Sequence, residues 1–270
     1  MQLLTANRIE AIDCYPQMQY FVDEHSIVRV IWGKADTILF IFAGAAAEFA
    51  LNKAVDWLYF TGRLPADPLG RLFSTVGYAR MIVFSEEEKA LAAIDKMNAI
   101  HSSLEVQRQQ NIPDWAYRDV LFMLIDYSIR AFEALERKLS ETEKEEVFNV
   151  FFRVGDRMGI PGLPQNHREW LDMRAGHLEQ NLTRSRYTED LFRQYRKHLG
   201  LVRYALLIQA QILVVPPIVN SMLQLGSKSF IQLIIPVYKL SRRIKADKLL
   251  KRLLLPAQYR QQINRLDIVS

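Results

Sequence analysis

Apolar residues recur every three or four positions along nearly the whole chain, and alternating β-branched runs are scarce, so the pattern predicts an all-α fold. The best-marked element opens at "SEEE". Ser85 stands as its N-cap, Glu88 three positions on completes a capping box, and three acids sit at the positive end of the helix dipole. Its apolar face runs through Ala90, Ile94, Met97, His101 and Leu104 in steps of three or four. A histidine therefore occupies a place where the pattern asks for a leucine, and it is expected to face inward. The preceding helix is predicted over 68–84, with Pro68 in the first turn, where a missing amide hydrogen costs nothing. On it Arg71, Thr75 and Tyr78 fall at i, i+4 and i+7 with Ser74 on the flank, so a polar stripe crosses a helix otherwise built of Leu72, Phe73, Val76, Met81, Ile82 and Val83.

The stretch "PDWAYRDVLFMLIDYSIRAFEALERKL" predicts a helix that is apolar almost all round from Val120 to Ile129 and so belongs in the middle of the protein. Asp126 inside that run is expected to pair with Arg130 one turn on, because an unpaired buried carboxylate is costly. "MGIPGLPQNHREW" reads as a C-capping Gly159, a proline-stiffened loop and a helix opening near Asn166. Further helices are predicted at 167–183, 187–199, 201–215 and 218–254, interrupted by Pro216, Pro217 and Pro236. Residues 37–51, "TILFIFAGAAAEFAL", contain Glu48 and are too short to cross roughly 30 Å of hydrocarbon, which makes them a core helix. Residues 204–225 are long enough but carry Gln209, Gln211 and two adjacent prolines, and read as a core or membrane-dipping segment. His25, His167, His177 and His198 sit on polar-looking segments and are expected at the surface.

Composition narrows the setting. A chain of 270 residues, half of them apolar, can bury one large core, and nothing marks a division, so residues 1–270 are expected to form a single domain. Cys14 is the one cysteine; it permits no internal disulfide, no four-cysteine zinc site and no CxxCH haem attachment, and it points to a reducing compartment. The first residues lack a basic start followed by an apolar run, so the cytoplasm is the expected location, with peripheral attachment to a membrane. The net charge of +5 is uneven: residues from 191 onward hold 14 Lys+Arg against 2 Asp+Glu, +12, which leaves −7 for residues 1–190. Basic residues there alternate with apolar clusters, so residues 226–270 read as a basic amphipathic tail, and residues 200–266 as a stretch suited either to an anionic membrane surface or to packing on the core through its leucines. No nucleic-acid recognition motif is present, and no nucleic-acid partner is expected.

Counting excludes several chemistries. The residues three before the five histidines are Val22, Asn98, Pro164, Arg174 and Tyr195, so the Glu-x-x-His element of di-iron helical bundles is absent. HExxH, GxGxxG, GxxxxGK[ST] and GxSxG are absent too. What remains is one inward-facing histidine in an apolar helical interior, beside a helix that turns Arg71 and Thr75 toward some polar object. Two readings stay open on pattern alone. His101 is a core histidine with a hydrogen-bond partner, or it is the axial ligand of a noncovalent haem b, with an apolar pocket for the macrocycle and a cation for propionates or oxygen.

The stretch "DPLGRLFSTVGYARMIVFSEEEKALAAIDKMNAIH" resembles the motif region of the MpaB-like oxygenase family, which includes the latex-clearing rubber oxygenases and membrane-bound oxygenases that cut prenyl side chains. The family's Arg-x-x-x-Thr helix is matched by Arg71 and Thr75, its helix start by "FSEEEKA" at 84–90, and its histidine by His101. Weaker similarity in "AGAAAEFAL", "DWLYFTGRLPADP", "IPDWAYRDVLFMLIDYS" and "MGIPGLPQ" extends the resemblance over residues 30–225. The resemblance implies a multi-helix domain enclosing a b-type haem with His101 as proximal iron ligand. It implies Arg71 and Thr75 as distal catalytic donors toward dioxygen, and an apolar isoprenoid-like or lipid substrate oxidised at a double bond. Ser74, Tyr78 and Met97 join these as cofactor-lining candidates, although Tyr78 also fits a core tyrosine with its hydroxyl at the edge. Where the rubber oxygenases can carry a lysine directly before the motif threonine, this chain has Ser74, which argues against a lysine-capped haem and against rubber-like specificity. Two other functions stay open: a haem-binding protein without turnover, and a haem-free helical protein of membrane surfaces.

Overall fold

The computed structural model describes residues 19–60, 62 and 66–243. The described residues form eleven helices: α1 (Ile27–Trp32), α2 (Ala35–Phe49), α3 (Val55–Phe60), α4 (Pro68–Phe84), α5 (Glu87–Arg108), α6 (Asp114–Leu135), α7 (Glu141–Arg157), α8 (His167–Gln180), α9 (Arg186–Val214), α10 (Pro217–Leu223) and α11 (Ile231–Arg243). No strand occurs among the described residues, whose β pairing is confined to the isolated bridges Tyr20–Glu86 and Asn52–Leu182. The all-α expectation holds.

Local chemistry sets most helix starts. Asp67 accepts from the Gly70 N–H with Pro68 in the first turn of α4, Ser140 and Glu143 form a reciprocal capping box on α7, Asn166 caps α8, and Ser185 with Thr188 caps α9. The start of α5 differs from its prediction. Ser85 instead ends α4 in extended backbone, Glu86 is the N-cap, and no side chain caps α5. The preceding chain supplies the missing partner: the Glu87 N–H donates to the Gln19 carbonyl at 2.8 Å, beside the Tyr20–Glu86 bridge. A main-chain acceptor thus replaces the serine hydroxyl, which sequence spacing could not foresee.

The core is centred on α2 and α6, which run antiparallel. Small residues on α2 let the two approach closely: a Cβ added at Gly44 would stand 2.2 Å from the Tyr127 ring and 3.0 Å from Val214. Trp32 is fully buried, its indole N–H donating to Ser128 at 3.1 Å and its ring meeting Phe42 and Phe151. The predicted junction of 187–199 with 201–215 is a sharp bend inside α9, where Gly200 adopts φ 74°, ψ 172°, a region open to glycine but not to side-chain-bearing residues.

Residues 204–225 resolve into the end of α9, the break at Val215 and Pro216, and α10; Ala210, Gln211, Val214, Val215 and Val219 are buried, so this is core. No helix among the described residues is long and apolar enough to cross a membrane. The predicted helix 218–254 is divided: α10 stops at left-handed Gln224 and α11 begins at Ile231. The tail from 244 onward lies outside the described residues, as do residues 1–18 with Cys14.

Candidate functional site

Helices α4 and α5 form an antiparallel hairpin joined at Ser85 and Glu86. Equal rise along two antiparallel helices from that turn would put Arg71 about level with His101, and Thr75 about level with Met97. Val76, Ala79, Ile82 and Val83 make the buried face of α4. Thr75 and Tyr78, on the flank of that face, are half-buried, while Ser74 is exposed. The backbone of Arg71 sits in the second turn of α4; its side chain lies outside the described residues. The stripe read from the sequence is therefore a border between core and surface.

The α5 stripe loses burial along its length. Ala90 and Ile94 are fully buried, and Met97, His101 and Leu104 are half-buried. The inward histidine of the sequence reading is thus a histidine at the edge of the main core, with Nδ1 shielded from solvent. Its surroundings are aromatic. The Tyr117 ring on α6 meets the imidazole edge-to-face, with centroids 5.3 Å apart and planes at 76°. Leu104 packs beside Ile112 and Trp115 on a separate small cluster of Ala54, Trp57 and Ala116.

Tyr117 is itself held. Its hydroxyl donates to Glu105 Oε1 at 3.3 Å, and the same oxygen accepts the Ile112 N–H at 2.8 Å, which ties the α5–α6 turn back onto α5 one turn beyond His101. Burial, and then the Glu105 charge, keep the Tyr117 hydroxyl well above the usual phenol range, so it acts as a donor. Arg108 lies 4.0 Å over the Trp57 ring and donates to Asp56 at 2.6 Å, closing the far end of this wall. Sequence reasoning named none of Trp57, Glu105, Arg108 or Tyr117. The aromatic pairs in "DWLYF" and "PDWAY" were the available signal, and their roles come from long-range packing that periodicity does not encode.

Two buried polar networks stand away from this hairpin. Glu48 on α2 and Arg174 on α8 form a two-pronged ion pair, with Arg174 Nη1 donating to Glu48 Oε1 at 2.6 Å. Tyr127 donates to Glu48 Oε2 at 2.8 Å, and Arg174 also donates to Asp126 at 3.1 Å. The predicted Asp126–Arg130 pair is present at 2.6 Å as the outer member of this network. In the second network buried Asp119 accepts from Asn52 at 2.7 Å, from Asn181 and from His177 Nδ1. His177 is therefore no surface residue: its place in the last turn of α8 aims it at α6. His167 departs from its reading too, being buried and stacked on Trp170, and desolvation holds its pKa below the usual imidazole value. Both histidines sit in polar-looking sequence on the first or last turn of a helix whose inner side meets α6 or α7. His25 is exposed as expected, and His198 is half-buried.

Fold and site together define a class: an all-helical protein with one edge-of-core imidazole beside a paired helix that carries its polar border. The family model described as "ER-bound oxygenase mpaB/B'/Rubber oxygenase, catalytic domain" matches residues 31–246, and the chain belongs to that family. The match runs through α11, beyond the 30–225 span of the motif resemblance. No curated protein matches the chain. Membership brings the activity class of an oxygenase, dioxygen with an organic substrate.

Part of what the group implied by the MpaB-like resemblance needs is present at His101. A noncovalent porphyrin needs one protein ligand, a shielded ring nitrogen behind it and apolar or aromatic walls. His101 supplies the imidazole and the shielded nitrogen and Tyr117 an aromatic contact, while Leu104, one turn on, packs on the neighbouring cluster of Trp57 and Trp115.

Proposed function

We propose that this protein is a haem b-dependent oxygenase acting on an apolar, isoprenoid-like or lipid substrate. The observation that supports it most is His101, half-buried and braced by Tyr117, on a hairpin whose equal rise would put it about level with Arg71, in a chain of this oxygenase family. Bound haem would supply redox chemistry toward dioxygen that protein side chains alone do not perform. His101 would hold it through a ring nitrogen, and the edge-to-face contact with Tyr117 would fix the plane of the imidazole. Arg71 and Thr75 would offer hydrogen-bond donors to dioxygen, with Ser74, Tyr78 and Met97 as neighbouring lining candidates. The aromatic and aliphatic walls would exclude water and accept a hydrocarbon chain. A substrate of that kind is collected at an anionic membrane surface, for which the basic C-terminal third is suited.

Oxygen uptake tests this reading. The haem-reconstituted protein supplied with a polyprenyl substrate consumes oxygen, and Arg71→Ala lowers the rate at least tenfold while leaving the pigment bound, as expected for loss of a charge-bearing donor at the reacting group. Ser74, where a lysine can stand in relatives, favours one competing reading, a haem-binding protein without turnover. Bound pigment with no substrate-dependent uptake would select it.

A further inference from the structure

Twelve large apolar side chains are exposed among the described residues, and five of them, Leu201, Val202, Phe230, Leu233 and Ile234, fall within one stretch of the chain. Phe230, Leu233 and Ile234 stand at i, i+3 and i+4, one side of the start of α11. The arc of that helix from Tyr238, one turn past Ile234, round to Lys239 is anchored, and so is Ser229 just before it. Tyr238 donates to Asp36 of α2 at 3.1 Å, Lys239 donates to the Glu136 carbonyl at 2.9 Å, and Ser229 donates to the Gln209 carbonyl at 2.9 Å. The Phe230 N–H also donates to Gln209 Oε1 at 2.9 Å. Anchoring decides which face looks outward, and Leu233, opposite the anchored arc, is 81 % exposed. Val202, 75 % exposed, lies about two turns before Gln209 and so on the same flank of α9, with Leu201 next to it at 66 %.

The segments that carry this face hold charge of one sign, the acids Asp36 and Glu136 meeting α11 on its anchored arc. No Asp or Glu occurs between residues 191 and 246. Arg196, Lys197 and Lys228 are exposed on the same two segments, and the sequence continues with Arg242, Arg243, Lys245 and Lys248. A second copy of the chain would bring a like-charged face against it. An anionic lipid surface brings the complement.

We propose that the outer face of α11 and the adjoining part of α9 is the surface by which this protein docks on a bilayer of anionic phospholipid. Leu233, Phe230, Ile234 and Val202 enter the boundary between headgroups and acyl chains, and Lys228 with the other cations of these segments meets the lipid phosphates and carboxylates. This inference rests on exposure and charge, not on haem, so it stands or falls separately from the oxygenase reading.

Co-sedimentation of the full chain with phosphatidylcholine vesicles, with and without phosphatidylserine, tests it. The wild type binds the phosphatidylserine vesicles and is released by salt, and the triple substitution F230S/L233S/I234S, with unchanged helical circular dichroism, binds at least about tenfold more weakly. A second measurement covers loss of folding in the triple variant: L233C on a C14S background carries an environment-sensitive dye whose emission shifts to the blue on adding the anionic vesicles. Three results overturn the proposal: no binding by the wild type, equal binding by wild type and triple variant, or a wild-type dimer that the triple substitution dissolves, which would assign the face to a second copy.

Discussion

Single residues decide what the interior tolerates. Arg174 is fully buried between Glu48 and Asp126, and its guanidinium is the main cation that keeps those two acids compatible with an apolar core. Arg174→Met leaves Glu48 buried without its countercharge and is expected to cost about 3–5 kcal/mol in denaturant unfolding. Adding Glu48→Gln recovers part of that loss, because the stranded charge is removed. His167 gives a pH prediction. Burial lowers its pKa, so the folded state binds a proton less readily than the unfolded chain. Its contribution to stability is complete above the ordinary imidazole value of 6.5 and is lost as pH falls below it toward the depressed folded value. The melting temperature should therefore decline on acidification from neutral pH, and His167→Gln should flatten that decline. At this scale the sequence was half legible. Asp126–Arg130 followed from helix spacing alone, but Arg174 stands far along the chain from both of its partners, and no local period links it to Glu48. His177 and His167 were misplaced for the same reason: polar neighbours in sequence said nothing about the helix packed on their other side.

Elements were easier to foresee, since each is fixed by its own period and ends. The spans predicted for α4, α8 and both halves of α9 match closely, and Gly200 marks the bend between the halves. The misses lie where a distant segment intervened. The N-terminal residues replaced the Ser85 cap of α5, and the anchoring of α11 on α2 set it apart from α10. Close approach of α2 to α6 at Gly44 has a measurable consequence. Gly44→Ala drives a Cβ into the Tyr127 ring and is expected to destabilise by about 1–3 kcal/mol, the range for overpacking a filled core. Gly77→Ala, on the exposed side of α4 where a Cβ meets nothing within 4 Å, is expected to stabilise by about 0.5–1 kcal/mol. The pair of variants, compared by urea unfolding, separates packing at the α2–α6 crossing from helix propensity.

Across the whole molecule, a polar interior network holds α2, α6 and α8, and the proposed site lies apart from it, at one end of the α4–α5 hairpin. That division was visible in the sequence only as an oddity, a histidine in a leucine's place. Its aromatic frame, and in particular Tyr117 locked by Glu105, belongs to the tertiary structure. On the docking proposal, the basic surface toward the other end of the sequence would give the same molecule a means of meeting a lipid phase. Everything in the oxygenase reading passes through His101, so the most direct measurement is a haem titration of the purified protein followed by its absorption spectrum. The wild type should take up haem at one equivalent with a sharp Soret band, and His101→Ala, with its helical content unchanged, should lose that band or shift it to that of unligated haem. A wild type that stays colourless with excess haem, or a His101→Ala variant whose spectrum is the same as the wild type's, would contradict the account.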